Sequence, residues 1–394
     1  MTVGYVDVWT DNIISGWAET PGGGTPAEIR VEIDGRYVGS VLADLYRSDL
    51  QRNVGYSIDI SNFPRGLARK MALRVGGDDL VLRPTGADSA PERATHSLYG
   101  GMWIDRDGWR DVLDGKISRG EVDDALAQQL VDFERDGYII IPGAVDKDLL
   151  DRLNRDIEDV WAGKVDGLKI ESYSVDIGLL RVVPVDNQYR YGSTKLLDPH
   201  LRLSSARYAT SAPRVVKFLE AIFEERARAF QQLCFTMGSQ QPIHKDTAYV
   251  KVDGNPMSMA ATWLALEDIS EGTGELEYYV GSHRSPDYVF GGISKWMEHS
   301  PGQHEDFLDS LHRDAEQLGQ KRSKFLGHAG DVLVWHADLA HGGSKITNPG
   351  VTRKSLVTHY TAKSHSPFYM RSLNHKQVEV NGVSFTSQYG EINA

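Results

Sequence analysis

The sequence predicts a mainly β protein with helices packed against its sheets. Three observations carry this reading. The first 93 residues hold short stretches rich in β-branched and aromatic residues, among them GYVDVWT, EIRVEIDG, RYVGSVLA and VGYSIDIS. Apolar strand-like runs return late in the chain, in MAATWLALEDI, GDVLVWHAD and KSLVTHYTAK. Amphipathic helical runs lie between the two groups.

In order, residues 1–93 are completed by ARKMALRVGG and DLVLRPTG, with turn signals at Asp34–Gly35 and Gly76–Asp79. They predict a small accessory β-domain resembling a sandwich. Trp9, Trp17 and Tyr56 suit either a ligand platform or the core, and core packing is the simpler reading. Residues 94–123 read as a connector, packed down by GMWIDRDGW. The remaining stretch, 124–394, reads as one larger domain. It opens with a helix, VDDALAQQLVDFERDG, stopped at Gly137, and a strand from Tyr138, YIIIPGAV. In DKDLLDRLNRDIEDVW, Leu149, Leu150, Leu153, Ile157, Val160 and Trp161 fall near helical spacing, with Asp146 as N-cap. Residues 163–195 show no clear period. Residues 199–232 read as helical through SAPRVVKFLEAIFEERARAFQQL, and residues 233–390 as strand-rich. A polar, partly helical insertion at about 291–326 is placed as a lid over a site.

A chain of 394 residues suggests two domains, and 40% hydrophobic with 25% charged residues suits a globular protein with a sizeable core. The net charge of −12 argues against a broad nucleic-acid footprint. The start, MTVGYVDVWTDNIISGW, lacks a basic stretch followed by an apolar run, so no secretory signal is expected. No apolar run reaches membrane-spanning length. The single cysteine, Cys234, excludes an intrachain disulfide framework and a cysteine-based zinc site, which fits a cytoplasmic protein.

The chemistry centres on HKD, His244 and Asp246. On an extended chain, residues two apart project to one side, so one imidazole and one carboxylate can meet one metal ion. A second histidine completes a facial triad for Fe(II), leaving positions for small ligands. His341 in HADLAHGGS is the preferred third ligand, with Gly342 leaving room beside it. His336 is the rival, but on one straight strand it faces away from His341; Asp338 reads as a turn residue. Arg353 follows His341 by 12 residues and can hold a dicarboxylate end in a bidentate fork, with Ser355 on the same face.

FERDGYIIIPGAVDKDLLDRL, PIHKDTAYV, WLALEDISEGTGELEYYVGSHR and GDVLVWHADLAHGGSKITNPGVTRKSL occur in an order that resembles the phytanoyl-CoA dioxygenase family, over residues 124–360. The resemblance implies a double-stranded β-helix (jelly-roll) core and an enzyme that uses Fe(II), 2-oxoglutarate and O2. It implies iron on His244, Asp246 and His341, and the distal carboxylate of 2-oxoglutarate on Arg353. The expected reaction is hydroxylation with release of succinate and CO2. Asp246 speaks against halogenation, because related halogenases carry a small residue there. Gln232, Thr236, Gln240 and Tyr249 are candidates for the near end of 2-oxoglutarate, with Thr236 and Gln240 favoured by parity with His244. His283 stands between a structural and a supporting role, and Arg284, Tyr173, Tyr189, Arg190 and Lys195 are candidates for substrate contact or the cavity mouth. His299, His304 and His312 lie in the insertion, as solvent-exposed residues or as substrate contacts. Trp263, Trp335 and Cys234 are assigned to the core. Residues 1–93 loosely resemble accessory β-domains of carbohydrate-active bacterial proteins. The leading substrate is therefore a sugar or lipid-linked glycan. An acyl-CoA, amino acid or phosphonate is the alternative, a non-catalytic carbohydrate-binding jelly roll is a further one, and self-association stays open.

Overall fold

The computed structural model describes residues 2–10, 12–22, 25–33, 36–61, 71–76, 80–82, 96–97, 99–174, 179–253, 255–292, 294–371 and 376–392. The chain divides into two compact units. One comprises Met1–Gly101, Thr247–Met257 and Pro286–Phe307; the other comprises Met102–Asp246, Ser258–Ser285 and Leu308–Ala394.

The first unit contains β1 (Val3–Trp9), β2 (Ile13–Glu19), β3 (Ala27–Ile33), β4 (Arg36–Ala43), β5 (Leu45–Arg47), β6 (Arg52–Asp59), β7 (Met71–Val75) and β8 (Val81–Leu82). They form two four-stranded antiparallel sheets, ordered β1-β2-β6-β5 and β4-β3-β7-β8. Alternation decides what each strand buries: Ile29, Val31 and Ile33 of β3, and Tyr56 and Ile58 of β6, enter one shared apolar cluster. Tyr56 is thus core, Trp9 packs on the cluster from its edge, and Trp17 is half-buried. The Asp34–Gly35 turn and residues 77–79 of the second turn lie outside the described residues.

The second unit is mixed α/β. In chain order it contains α1 (Trp109–Ser118), α2 (Asp124–Asp136), β9 (Tyr138–Ile141), α3 (Lys147–Trp161), β10 (Lys169–Ser174), β11 (Leu179–Pro184), β12 (Thr194–Leu197), α4 (Ser204–Thr210), α5 (Pro213–Phe223) and β13 (Ala227–Phe235). After β14 (Val252–Asp253) of the first unit come β15 (Met259–Ala265), β16 (Leu276–Tyr279) and α6 (His304–Gln317), which belongs to this unit from Leu308 on. These are followed by β17 (Arg322–Lys324), β18 (Val332–His336), β19 (His341–Gly343), β20 (Ser355–Ala362), β21 (Ser366–Pro367), β22 (Val378–Val380) and β23 (Val383–Phe385). Helix starts follow their caps: Asp123 accepts from Leu126 N and Asp146 from Leu149 N, and α2 ends at Gly137 with φ 79°.

The main sheet runs β11-β10-β12-β13-β20-β15-β18-β9, with β23 and β22 joined at β13. Its central strands are buried on both faces, and alternate residues serve different layers. Ala260, Leu264, Val334, Leu356 and Tyr360 pack toward the helices with Phe133, Leu153 and Phe218. Trp263, Leu333, Trp335 and Val357 pack on the other face with Leu276 and Tyr278 of the small sheet β17-β16-β19 and with Phe325 just after β17. The space between the large and small sheets is where the site forms.

Three expectations change. The helix expected to run to residue 232 stops at Phe223, where Glu224 takes φ 56°, and Ala227–Phe235 becomes a central strand between β12 and β20. Ladder pairing and burial on both faces override a helix-compatible local sequence. The expected connector does not stand apart: from Met102 it belongs to the second unit, where Trp103 Nε1 donates to the Ala221 carbonyl at 2.8 Å. The insertion at 291–326 is not one body either. The unit boundary falls after Phe307, and its last strand, β17, forms the edge of the small sheet with Arg322 paired to Glu277. The stretch 163–195, without period in the sequence, holds the β10–β11 hairpin. Among the described residues no helix is long and apolar enough to cross a membrane.

Candidate active site

His244 and His341 face each other as an isolated antiparallel pair. His244 N donates to His341 O at 2.8 Å and His341 N to His244 O at 2.9 Å. Gly342 makes this approach possible. A Cβ there would stand 2.7 Å from Gln241 O and 2.9 Å from Ile243 N, both backbone atoms. The expected room beside the metal is therefore room for the passing chain. Asp246 begins a short 3-10 turn, and its N–H donates to Ala337 O at 3.1 Å.

One ligand atom from each of His244, Asp246 and His341 lies within 4.8 Å of the others, all three residues buried. Each histidine has its tautomer set by the backbone. Nδ1 of His244 donates to the Pro242 carbonyl at 2.8 Å, and Nδ1 of His341 to the Leu339 carbonyl at 2.9 Å. Since a carbonyl only accepts, Nε2 of each ring carries the lone pair a metal needs. Both Nε2 atoms face the same oxygen, Asp246 Oδ1, at 3.8 and 3.7 Å. Burial, with His341 beside it, pushes the His244 imidazole down to about 3, so it stays neutral at neutral pH. Burial opposes the Asp246 charge, but the imidazoles of His341, His359 and His244 outweigh it and hold the carboxyl well below its ordinary range. Two imidazoles presenting Nε2 and one carboxylate are the donor set that suits Fe(II).

A cavity leads from these ligands to Arg353, lined also by Leu233, Phe235, Trp263 and Val357. Arg353 is 2% exposed. Its guanidinium lies over the rings of Trp263 and Phe235, at 5.2 and 5.3 Å, and Nη1 donates to Ser355 Oγ at 2.6 Å. Its Nε has no hydrogen-bond partner among the described residues. Burial pushes Arg353 down to about 10, so it remains a cation at neutral pH. A desolvated guanidinium with an unsatisfied donor, at the end of a cavity that begins at a metal site, fits a ligand with a carboxylate at its far end. The residues present therefore fit both Fe(II) and 2-oxoglutarate.

The chain belongs to the phytanoyl-CoA dioxygenase (PhyH) family, whose profile matches residues 133–355, more than half of the 394 residues. With the triad in place, it is an Fe(II)- and 2-oxoglutarate-dependent dioxygenase acting on a small molecule. The non-catalytic reading is set aside on the same grounds. No curated protein matches the chain. Several solved structures are similar. The epimerase SnoN, in complex with Fe3+, alpha ketoglutarate and nogalamycin RO, is 18% identical, with a TM-score of 0.48 over 67% of this chain and 97% of its own. The alpha ketoglutarate dependent carbocyclase SnoK from nogalamycin biosynthesis is 14% identical, with a TM-score of 0.47 over 65% and 92%. EctD from S. alaskensis, with 2-oxoglutarate and 5-hydroxyectoine, is 18% identical, with a TM-score of 0.44 over 62% and 79%.

The other candidates are distributed more widely. Gln240 takes φ 50° and its Oε1 accepts from Ile346 N at 3.1 Å; Thr236 offers its carbonyl to Arg353 N at 2.9 Å. The strand ends at Phe235, so alternation counted back from His244 does not hold, and Ser239 and Gln241 line the cavity instead. Gln232 is buried on the helix side, bonded to Thr210 and Thr358. Tyr249 OH lies 2.6 Å from His304 Nε2 within the first unit, and His312 lies 3.0 Å from Tyr279 OH. His336 turns to the helix side, with Asp105 at 3.2 Å and the His283 ring at 5.2 Å. His283 Nε2 donates to Glu134 O, and Arg284 pairs with the Glu134 carboxylate. Arg190 pairs with Glu158 and Lys195 with Glu171. Tyr189 is exposed, and Cys234 is buried on the helix side. The side chains of Tyr173 and His299 lie outside the described residues.

Two residues near the metal ligands were not assigned to the site from the sequence. His359 is 4% exposed, lines the cavity and places Nε2 3.4 Å from Asp246 Oδ1. Strand alternation from Ser355 through Val357 carried the signal for it. Trp335, assigned to the core, donates Nε1–H to Asp246 Oδ2 at 2.8 Å. Its neighbour His336 was read as facing away from the metal, and the same parity turns Trp335 toward it.

Proposed function

We propose that this dioxygenase hydroxylates an unactivated C–H bond of a polar, uncharged small molecule, with a sugar or lipid-linked glycan as the leading class and succinate and CO2 as coproducts. The observation that carries the reading is the cavity itself. Beside the triad and Arg353, which would hold iron and the cosubstrate, it offers Ser239, Gln241 and His359. Hydroxyl, amide and imidazole groups match neutral hydroxyl-bearing ligands. A phosphorylated carrier such as an acyl-CoA calls for a basic cluster. Asp246, present as a full carboxylate ligand, favours hydroxylation over halogenation.

Bound iron and 2-oxoglutarate supply the oxidising power. The chain supplies placement. His244, Asp246 and His341 would hold the metal on one face, Arg353 and Ser355 would hold the far carboxylate, and the apolar walls of Leu233, Phe235, Trp263 and Val357 exclude water. In this reading the large sheet and the small β17-β16-β19 sheet are the two halves of a double-stranded β-helix, and the strands described within residues 1–93 are a sandwich-like accessory domain. A cytoplasmic location goes with this reading, since the single cysteine, Cys234, leaves no intrachain disulfide to form.

The test is turnover with Fe(II), 2-oxoglutarate and O2 against two panels, free or lipid-linked sugars and charged metabolites (acyl-CoAs, amino acids, phosphonates). Succinate release coupled to a gain of one oxygen atom on a sugar supports the reading. The same gain confined to a charged metabolite replaces it with the alternative.

A further inference from the structure

We infer that Trp335 is a positioning residue that restricts Asp246 to binding the metal through one oxygen. The two carboxylate oxygens are in different surroundings. Oδ1 faces Nε2 of His244, His341 and His359 at 3.8, 3.7 and 3.4 Å. Oδ2 points the other way and accepts Trp335 Nε1–H at 2.8 Å. Trp335 is 1% exposed and its ring packs on His341 with centroids 4.9 Å apart, so it cannot swing away. Turning Oδ2 toward the metal breaks a hydrogen bond to a charged acceptor and strands a buried indole N–H. The carboxylate is thereby fixed as a one-oxygen ligand.

The consequence lies in counting positions, and it rests on the triad holding Fe(II). With one oxygen from Asp246 and one nitrogen each from His244 and His341, a bound Fe(II) would keep positions open for 2-oxoglutarate and O2. A second Asp246 oxygen on the metal would compete with the cosubstrate. His359 does not substitute for the constraint. It stands outside the three-residue ligand cluster, and its Nε2 faces Oδ1 at 3.4 Å, not the Oδ2 that Trp335 holds.

The experiment compares wild type with Trp335→Phe, which keeps a ring against His341 and removes the N–H. Each protein is loaded with Fe(II) under argon and titrated with 2-oxoglutarate. Wild type developing the charge-transfer absorption of chelated 2-oxoglutarate establishes the metal site itself, so failure of that reading is seen separately. In the variant, Fe(II) affinity is expected to be retained or raised. The Kd for 2-oxoglutarate is expected to rise roughly tenfold or more, the scale of a lost hydrogen bond to a charged group. A variant Kd and spectrum within twofold of wild type overturns the inference. So does a parallel loss of Fe(II), which makes Trp335 a general support. X-ray absorption fine structure of Fe(II)-loaded wild type gives a second reading that needs no variant. The expected result is no short iron–carbon path from a two-oxygen carboxylate, and finding that path overturns the inference.

Discussion

Replacing Arg353 by methionine separates cosubstrate binding from folding. In wild type the guanidinium is buried at 2% exposure, with one side-chain hydrogen bond, to Ser355, and an unsatisfied Nε among the described residues. Its removal forfeits that bond and two ring contacts, together worth about 2–4 kcal/mol. It also removes the desolvation cost of a buried cation, of similar size or larger. Apoprotein stability is therefore expected to stay within about 1–2 kcal/mol of wild type. Binding changes far more. Truncating one member of a buried hydrogen-bonded charge pair costs about 2–5 kcal/mol, a rise in Kd for 2-oxoglutarate of roughly 30-fold to several thousandfold. The assay is anaerobic titration of the Fe(II) protein with 2-oxoglutarate, beside denaturant unfolding of the apoprotein. Arg353→Lys, which keeps the charge and loses the fork, is expected to fall between the two. A Kd within threefold of wild type refutes the reasoning. So does a stability loss of about 4 kcal/mol or more, because the arginine is then structural.

Gly342→Ala forces a Cβ to within 2.7 Å of Gln241 O, so the chain at His244 must shift. A stability loss of about 1–3 kcal/mol and an Fe(II) Kd raised at least about tenfold are expected, and unchanged iron binding contradicts the account. His341→Ala should abolish iron binding, whereas His336→Gln should keep one iron per chain and lose stability through the buried Asp105 contact; metal analysis and thermal unfolding distinguish them. Burial, with His336 beside it, pushes His283 well below its ordinary value, with Asp105 opposing. Below about pH 6.5 the unfolded state therefore binds the proton that the folded state refuses. Stability from this group is full above that pH and falls by about 1.4 kcal/mol per unit below it. Denaturant unfolding at pH 7.5 and 5.5 should show this slope diminished in His283→Gln, and an equal slope in both proteins removes His283 as its cause.

The parts of the site legible in the sequence were those set by short-range rules. The i, i+2 pair His244 and Asp246, the facing-away parity of His336 from His341, and Arg353 with Ser355 depend on local geometry; the structure places His244, Asp246, His341 and Arg353 around one cavity, Ser355 against Arg353, and His336 on the helix side. Helix caps at Asp123 and Asp146, and the stop at Gly137, are equally local. What stayed hidden depends on partners distant in sequence. Ala227–Phe235 reads as helix until it is paired between β12 and β20. Gln240, chosen by counting back from His244, bonds Ile346 N and is not among the cavity lining, because the chain between Phe235 and His244 leaves the strand and passes through positive φ. Trp335 and His359 were reachable by extending the parity argument one step further along their strands. Their relation to Asp246 spans 89 residues in the case of Trp335, and no local pattern reveals it.

The most direct test of the central claim is visible absorption of the purified protein under argon, first with Fe(II) and then with 2-oxoglutarate. A metal-to-ligand charge-transfer band that appears only with both, is lost in His244→Ala and is weakened in Arg353→Met is the predicted result. A protein that binds no iron, or that binds iron and gives no band with 2-oxoglutarate, contradicts the assignment of His244, Asp246 and His341 as the metal ligands of a 2-oxoglutarate-dependent dioxygenase.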